Sequence, residues 1–178
     1  MKMQLVFFAL AIPAVACGQS VTSCPMHDPH EKSAEQHAAA VDSRGDHAMG
    51  FSHERSAHHF RILSDGGAIE VDASDAADTV TRDEIRSHLK HIAEMFASGN
   101  FKTPMFIHDV TPPGVPMMES KRDLISYLFE PTPKGGRVVI TTADPTARTA
   151  IHQFLDFQID DHRTGDRKGD IPPGLTKR

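Results

Sequence analysis

The sequence predicts an α+β fold, a two-layer sandwich in which a four-stranded antiparallel sheet carries two helices on one face. Three observations predict it. Two pairs of short alternating apolar segments each surround a glycine dipeptide, Gly66-Gly67 and Gly135-Gly136. Each pair is followed by a segment with apolar residues at helical spacing. The hairpin-then-helix unit therefore occurs twice, as ββα-ββα, and the two halves read as a duplication. A disordered segment is expected to precede this domain.

Taken in chain order, Lys2 is followed by an apolar stretch from Leu5 to Ala16 that ends in Ala14-Val15-Ala16, the pattern of a secretory signal peptide. The stretch is interrupted by Pro13 and is shorter than the about 20 residues a bilayer span needs, so residues 1–16 are expected to be cleaved. Ala14-Val15-Ala16-Cys17 resembles a lipobox with alanine in place of the usual leucine. Cys17 is thus either a lipidation site or, after ordinary cleavage, a thiol free to pair with Cys24 in an oxidising compartment. Residues 17–48 are polar and small, with His27, His30, His37 and His47 scattered among them. Lacking recurrent large apolar residues, they read as a disordered or loosely helical tether.

The domain is expected over residues 49–165. Residues 59–63 and 68–72 alternate around Asp65-Gly66-Gly67, giving a hairpin with Phe60, Ile62, Ile69 and Val71 inward. Thr81 and Glu84 form a capping box opening a helix whose stripe is Ile85, Leu89, Ile92 and Phe96, ending at Gly99. Residues 100–118 carry too many prolines for a regular element and are expected to be an ordered crossing loop. Residues 125–129 and 137–141 form the second hairpin. Asp144-Pro145 then opens a helix to about His162, with Ala147, Ile151, Phe154 and Leu155 inward. The charged tail, residues 166–178, is expected to lie outside the fold.

A net charge of −5, a pI near 6.1 and no basic stripe with interleaved aromatics argue against a nucleic-acid partner. Membrane attachment is expected only through a lipid anchor. Histidine is over-used: there are 12, seven of them before Phe60. Cys24-Pro25-Met26-His27 places thiolate, thioether and imidazole within one short segment, a soft set suited to Cu(I). His88, His91 and Met95 fall on adjacent turns of the first predicted helix, a spacing at which two imidazoles reach one ion. His108, on the crossing loop, is placed to fold back toward them. The competing reading of each histidine is structural, a ring bonded to a neighbouring carbonyl. His162 shares the inward stripe of Ile151 and Leu155, and His58 and His59 must point to opposite faces of their strand.

Catalytic signatures are missing. His53-Glu54 is followed by a histidine at 58 rather than 57, which breaks the zincin pattern. There is no Gly-x-Ser-x-Gly elbow and no phosphate or dinucleotide loop. No cysteine lies in the folded domain. The residues therefore leave enzyme activity undecided and weigh against it.

Two resemblances add to this. Cys24-Pro25-Met26-His27 resembles the Cys-Pro-Met-His core of small heavy-metal-binding domains, although Asp28 stands where those domains have proline. Met49-Gly50-Phe51, His58-His59-Phe60, His88-Leu89-Lys90-His91-Ile92, Pro112-Pro113-Gly114-Val115-Pro116 and Thr164-Gly165-Asp166 together resemble a family of small exported bacterial proteins of unknown function. Some of its members carry an aspartate carbamoyltransferase label. The label is disfavoured here, because the Ser-Thr-Arg-Thr phosphate loop is absent and the chain has half the required length. The expectation is an exported, periplasmic or outer-surface metal-binding or metal-responsive protein, binding copper or zinc through Cys24, Met26, His27, His88, His91 and His108. The alternatives are an envelope interaction module with a protein partner and, third, an uncharacterised enzyme.

Overall fold

The structure is a computed structural model that describes residues 29–169. The leader, Cys17 and the Cys24-Pro25-Met26-His27 segment lie outside the described residues. Four strands, β1 (Ser56–Leu63), β2 (Gly66–Ala73), β3 (Ile125–Pro131) and β4 (Gly135–Thr142), form one antiparallel sheet in the order β1-β2-β4-β3. Helices α2 (Thr79–Ala97) and α5 (Pro145–Asp161) pack on it, as the ββα-ββα reading predicts.

Register explains the core. Phe60, Ile69, Val138 and Phe129 are aligned across all four strands and share a face. Against that face pack Ile85, Leu89, Ile92 and Phe96 from α2 and Ala147, Ile151, Phe154 and Leu155 from α5, all buried. Both predicted stripes are the observed ones.

The glycine pairs do different work from that expected. The first turn is Ser64-Asp65, and both dipeptides lie inside strands. A Cβ on Gly67 would lie 2.1 Å from a Leu155 methyl, and one on Gly136 would lie 2.6 Å from the Phe129 ring. The missing side chains are filled by large ones from neighbouring elements.

Four further expectations are corrected. The tether is not without structure over its described part: Pro29–Met49 is a helix, α1. Its buried positions, Ala38, Val41 and Gly45, are small and spaced by three and four, so the face packs closely on Lys102–His108 without large apolar side chains. Arg44 on the same helix donates to the carbonyl of Ile107 at 2.6 Å. The crossing loop contains two helices, α3 (Lys102–His108) and α4 (Val115–Ser120). Pro104 and Pro116 sit in their first turns, where no amide donor is needed.

The cap of α2 is Asp78, whose carboxylate accepts from the Thr81 amide at 3.0 Å, rather than Thr81 itself. Asp144 caps α5 in the same way, accepting from Ala147 at 2.8 Å. Asp166, finally, is not outside the fold. Its carboxylate accepts from the Phe60 amide at 2.9 Å, His59 Nδ1 at 3.2 Å and Arg61 at 3.1 Å, and so covers part of the edge of β1.

Gly114 begins α4 with a φ of 84°, and a Cβ there would meet the Ala150 carbonyl oxygen at 2.0 Å. The Pro-Pro-Gly-Val-Pro segment is thus a close docking of α4 on α5.

Candidate functional site

Where the end of α1, the two strands of the first hairpin, α2, α3 and α5 meet, they line an apolar, partly open cavity of about 60 Å³. The polar side chains among its lining residues are those of His58, His88, His108, His162, Gln158 and Thr103, and Met49 adds a thioether. Strand alternation delivers His58, which shares the core face with Phe60 and Ile62. His88 stands one residue before buried Leu89, at the margin of the α2 stripe. His108 ends α3, and His162 is the C-cap of α5.

The rings pack on one another. His58 and His162 stack with centroids 5.6 Å apart and planes 5° from parallel. His162 also meets Phe60 at 5.5 Å and presents itself edge-on to His108 at 4.9 Å. Phe51 stacks on His58 at 6.3 Å and meets the edge of His88 at 5.7 Å.

Burial in these surroundings disfavours the charged imidazolium. It pushes the pKa of His58 down to about 4, with repulsion from His88 and His59 adding. His88 is pushed to about 4 by burial and then by His91. His162 is pushed to about 3 by burial and then by His58 and His108. All three are neutral at pH 7. Among the described residues no protein group is hydrogen-bonded to their ring nitrogens.

His108 is different. Only 1% of it is exposed, and both ring nitrogens face oxygens: Nδ1 is 2.5 Å from Asp161 Oδ2 and Nε2 is 2.9 Å from Gln158 Oε1. Asp161 also accepts from His37 on α1 at 2.7 Å. Burial would raise the Asp161 carboxyl, but its bonds to His108 and His37 prevail and hold it below the usual carboxylate range. One carboxylate thus ties α1 and α3 to α5. Gln158, 3% exposed, spends its oxygen on His108, and its Nε2 has no partner.

The expected set of His88, His91 and His108 does not come together. His88 lines the cavity, whereas His91 is exposed on the outside of α2. His108 lines it too, but with both nitrogens engaged. Among the described residues no group of three or more histidine, cysteine, aspartate or glutamate side chains is arranged to hold a metal ion.

His58 and His162 take the places given to His91 and His108. His162 makes no carbonyl bond, contrary to the structural reading of that ring. Strand alternation for His58 and helical spacing for His162 were the signals that pointed inward. For Gln158, Met49 and Asp161 no local pattern exists, because their roles depend on contacts between distant elements.

Chemically, the cavity is lined by neutral imidazoles, one thioether and one side-chain amide. No carboxylate, thiol or serine lines it, and its one hydroxyl is that of Thr103. Comparisons with protein-family models, with curated proteins and with solved structures found no match for this chain.

Proposed function

We propose that this chain is an exported, non-catalytic metal-binding protein that holds copper as Cu(I) in its cavity through Met49, His58 and His88. The observation that carries the reading is that imidazoles held neutral by burial, with no protein partner for their nitrogens, line one apolar cavity together with a thioether. Metal ligation requires deprotonated imidazole, and burial supplies it. The donor chemistry favours Cu(I) over zinc. Cuprous ion is soft, carries a single positive charge and accepts two or three neutral N and S donors. Zinc sites call for four ligands, with thiolate or carboxylate charge in most of them, and no such charge lines the cavity. The Cys24-Pro25-Met26-His27 segment would be a separate capture site preceding α1. Export rests on the leader ending at Ala16, with Cys17 as the point of lipid attachment.

The test is anaerobic competition of the full mature chain with a chromophoric Cu(I) chelator. Wild type is expected to retain one cavity-bound equivalent. A His58→Ala, His88→Ala variant loses it, a Cys24→Ala, His27→Ala variant keeps it, and His91→Ala is silent. Unchanged copper retention in a folded His58→Ala, His88→Ala variant would overturn the assignment.

A further inference from the structure

We infer that the free edge of β3 is an interface between two copies of this chain, on which a second β3 pairs antiparallel about Leu128 and joins the two four-stranded sheets into one. This goes beyond the copper reading and does not rest on it.

The two edges of the sheet are finished differently. On β1 the Asp166 carboxylate takes up the outward Phe60 amide at 2.9 Å and also holds His59 and Arg61. The other edge, β3, pairs only with β4. It carries no lysine and has its proline at the last position, so it lacks the devices that protect an exposed edge. Hydrogen bonding along an antiparallel pair alternates. The Thr132 amide donates to the Gly135 carbonyl at 3.0 Å, so Glu130, Leu128 and Ser126 turn their backbone groups to β4, while Phe129, Tyr127 and Ile125 turn theirs away. Of the outward groups, the Ile125 amide donates to the Arg122 carbonyl, and Pro131 has no amide hydrogen. Tyr127 and Phe129 are left as donors placed symmetrically about Leu128, and no described residue accepts from them.

That symmetry selects the occupant. With Leu128 on a two-fold axis, Tyr127 of each copy lies opposite Phe129 of the other, and each such pair exchanges both of its backbone bonds. The side chains fix the register. A slip of one residue sets an outward amide against an inward one, and a slip of two puts Leu128 opposite Ser126 or Glu130. Centred, Leu128, 56% exposed, meets its own copy in the closer, non-hydrogen-bonded kind of pair, and Glu130 meets Ser126 rather than another carboxylate. Glu130 keeps its own partner, accepting from Arg137 Nε at 2.8 Å. The cross-strand row Ala68, Val139, Leu128 then runs on into its two-fold copy as one apolar strip. The strand complements itself, so the occupant is a second copy and not a foreign strand. An edge pairing of this length is a small interface, and the dimer is therefore concentration-dependent.

The experiment uses the metal-free full mature chain carrying Cys17→Ser and Cys24→Ser. Sedimentation across a concentration series is expected to pass from monomer to dimer, with the Tyr127 and Phe129 amides gaining protection from hydrogen exchange at the same midpoint. Leu128→Lys sets like charges across the axis at a position that is exposed in the monomer. It is expected to raise the dimer dissociation constant about tenfold or more with the circular dichroism unchanged. Leu128→Cys is expected to form an interchain disulfide under mild oxidation, because residues of a non-hydrogen-bonded pair lie within disulfide reach. Leu124→Cys, at a site 54% exposed but off the axis, is expected to stay a thiol. A chain that remains monomeric at every concentration would overturn the inference. So would a dimer that Leu128→Lys leaves intact, or one that cross-links through position 124 and not 128.

Discussion

Lowering the pH of the metal-free protein from 7 to 5 should remove a large part of its stability. His58, His88 and His162 have folded-state pKa values of about 4, 4 and 3, against 6.5 in the unfolded chain. Because the folded values are depressed, the unfolded chain takes up protons that the folded chain refuses. Stability is therefore full above pH 6.5 and falls as the pH drops, until the folded rings themselves protonate near pH 4. Between pH 7 and 5 each ring contributes a loss of ~2 kcal/mol, so three give at most about 6 kcal/mol. The three residues are half-buried, and solvent screening of the partly exposed rings brings the expected loss to about 3–5 kcal/mol, a substantial share of a typical 5–15 kcal/mol. His53 works the other way. Its pKa is raised, chiefly by its hydrogen bond to Asp46, so it favours the folded state as the pH falls. Guanidinium unfolding followed by circular dichroism at pH 7, 6 and 5 and constant ionic strength reads the difference. His162→Phe should flatten the dependence by about one third. Equal stability at pH 7 and pH 5, or an unchanged slope in His162→Phe, would refute the claim that these half-buried rings are held neutral.

The Tyr127 hydroxyl is buried against Phe96 without a partner, and burial raises its pKa. Tyr127→Phe should therefore leave stability unchanged or raise it by about 1 kcal/mol in chemical denaturation. Gly114→Ala places a methyl 2.0 Å from the Ala150 carbonyl at a φ of 84°, and should cost ~3 kcal/mol or more by the same measurement. Asp166→Ala removes three acceptor contacts on β1. A loss of about 2 kcal/mol is expected, with faster hydrogen exchange at the Phe60 amide while the centre of β2 stays protected.

How much could be read from the sequence varied with how local each cause is. The strands, the apolar stripes of α2 and α5 and the Asp144 cap follow from periodicity and capping, and these were legible. Helix α1 was legible only as the loosely helical alternative to disorder, because its packed face is Ala38, Val41 and Gly45, too small to register as a stripe. Helices α3 and α4 were hidden by prolines that fall in first turns, where helices tolerate them. The glycine dipeptides looked like turns because no sequence rule shows that Leu155 and Phe129 occupy the space above them.

The site divides in the same way. His88 was legible from its helix. Choosing His58 over His91 required knowing which helix margin the sheet covers. The Asp161–His108–Gln158 chain joins residues about fifty positions apart, and no spacing pattern carries that information.

The most direct test of the cavity as the functional centre is diffraction from crystals of the full mature chain grown anaerobically with Cu(I), with data collected at the copper edge. An anomalous peak is expected between the Met49 sulfur and the ring nitrogens of His58 and His88. A peak confined to the segment preceding α1, or one at His91, would contradict it.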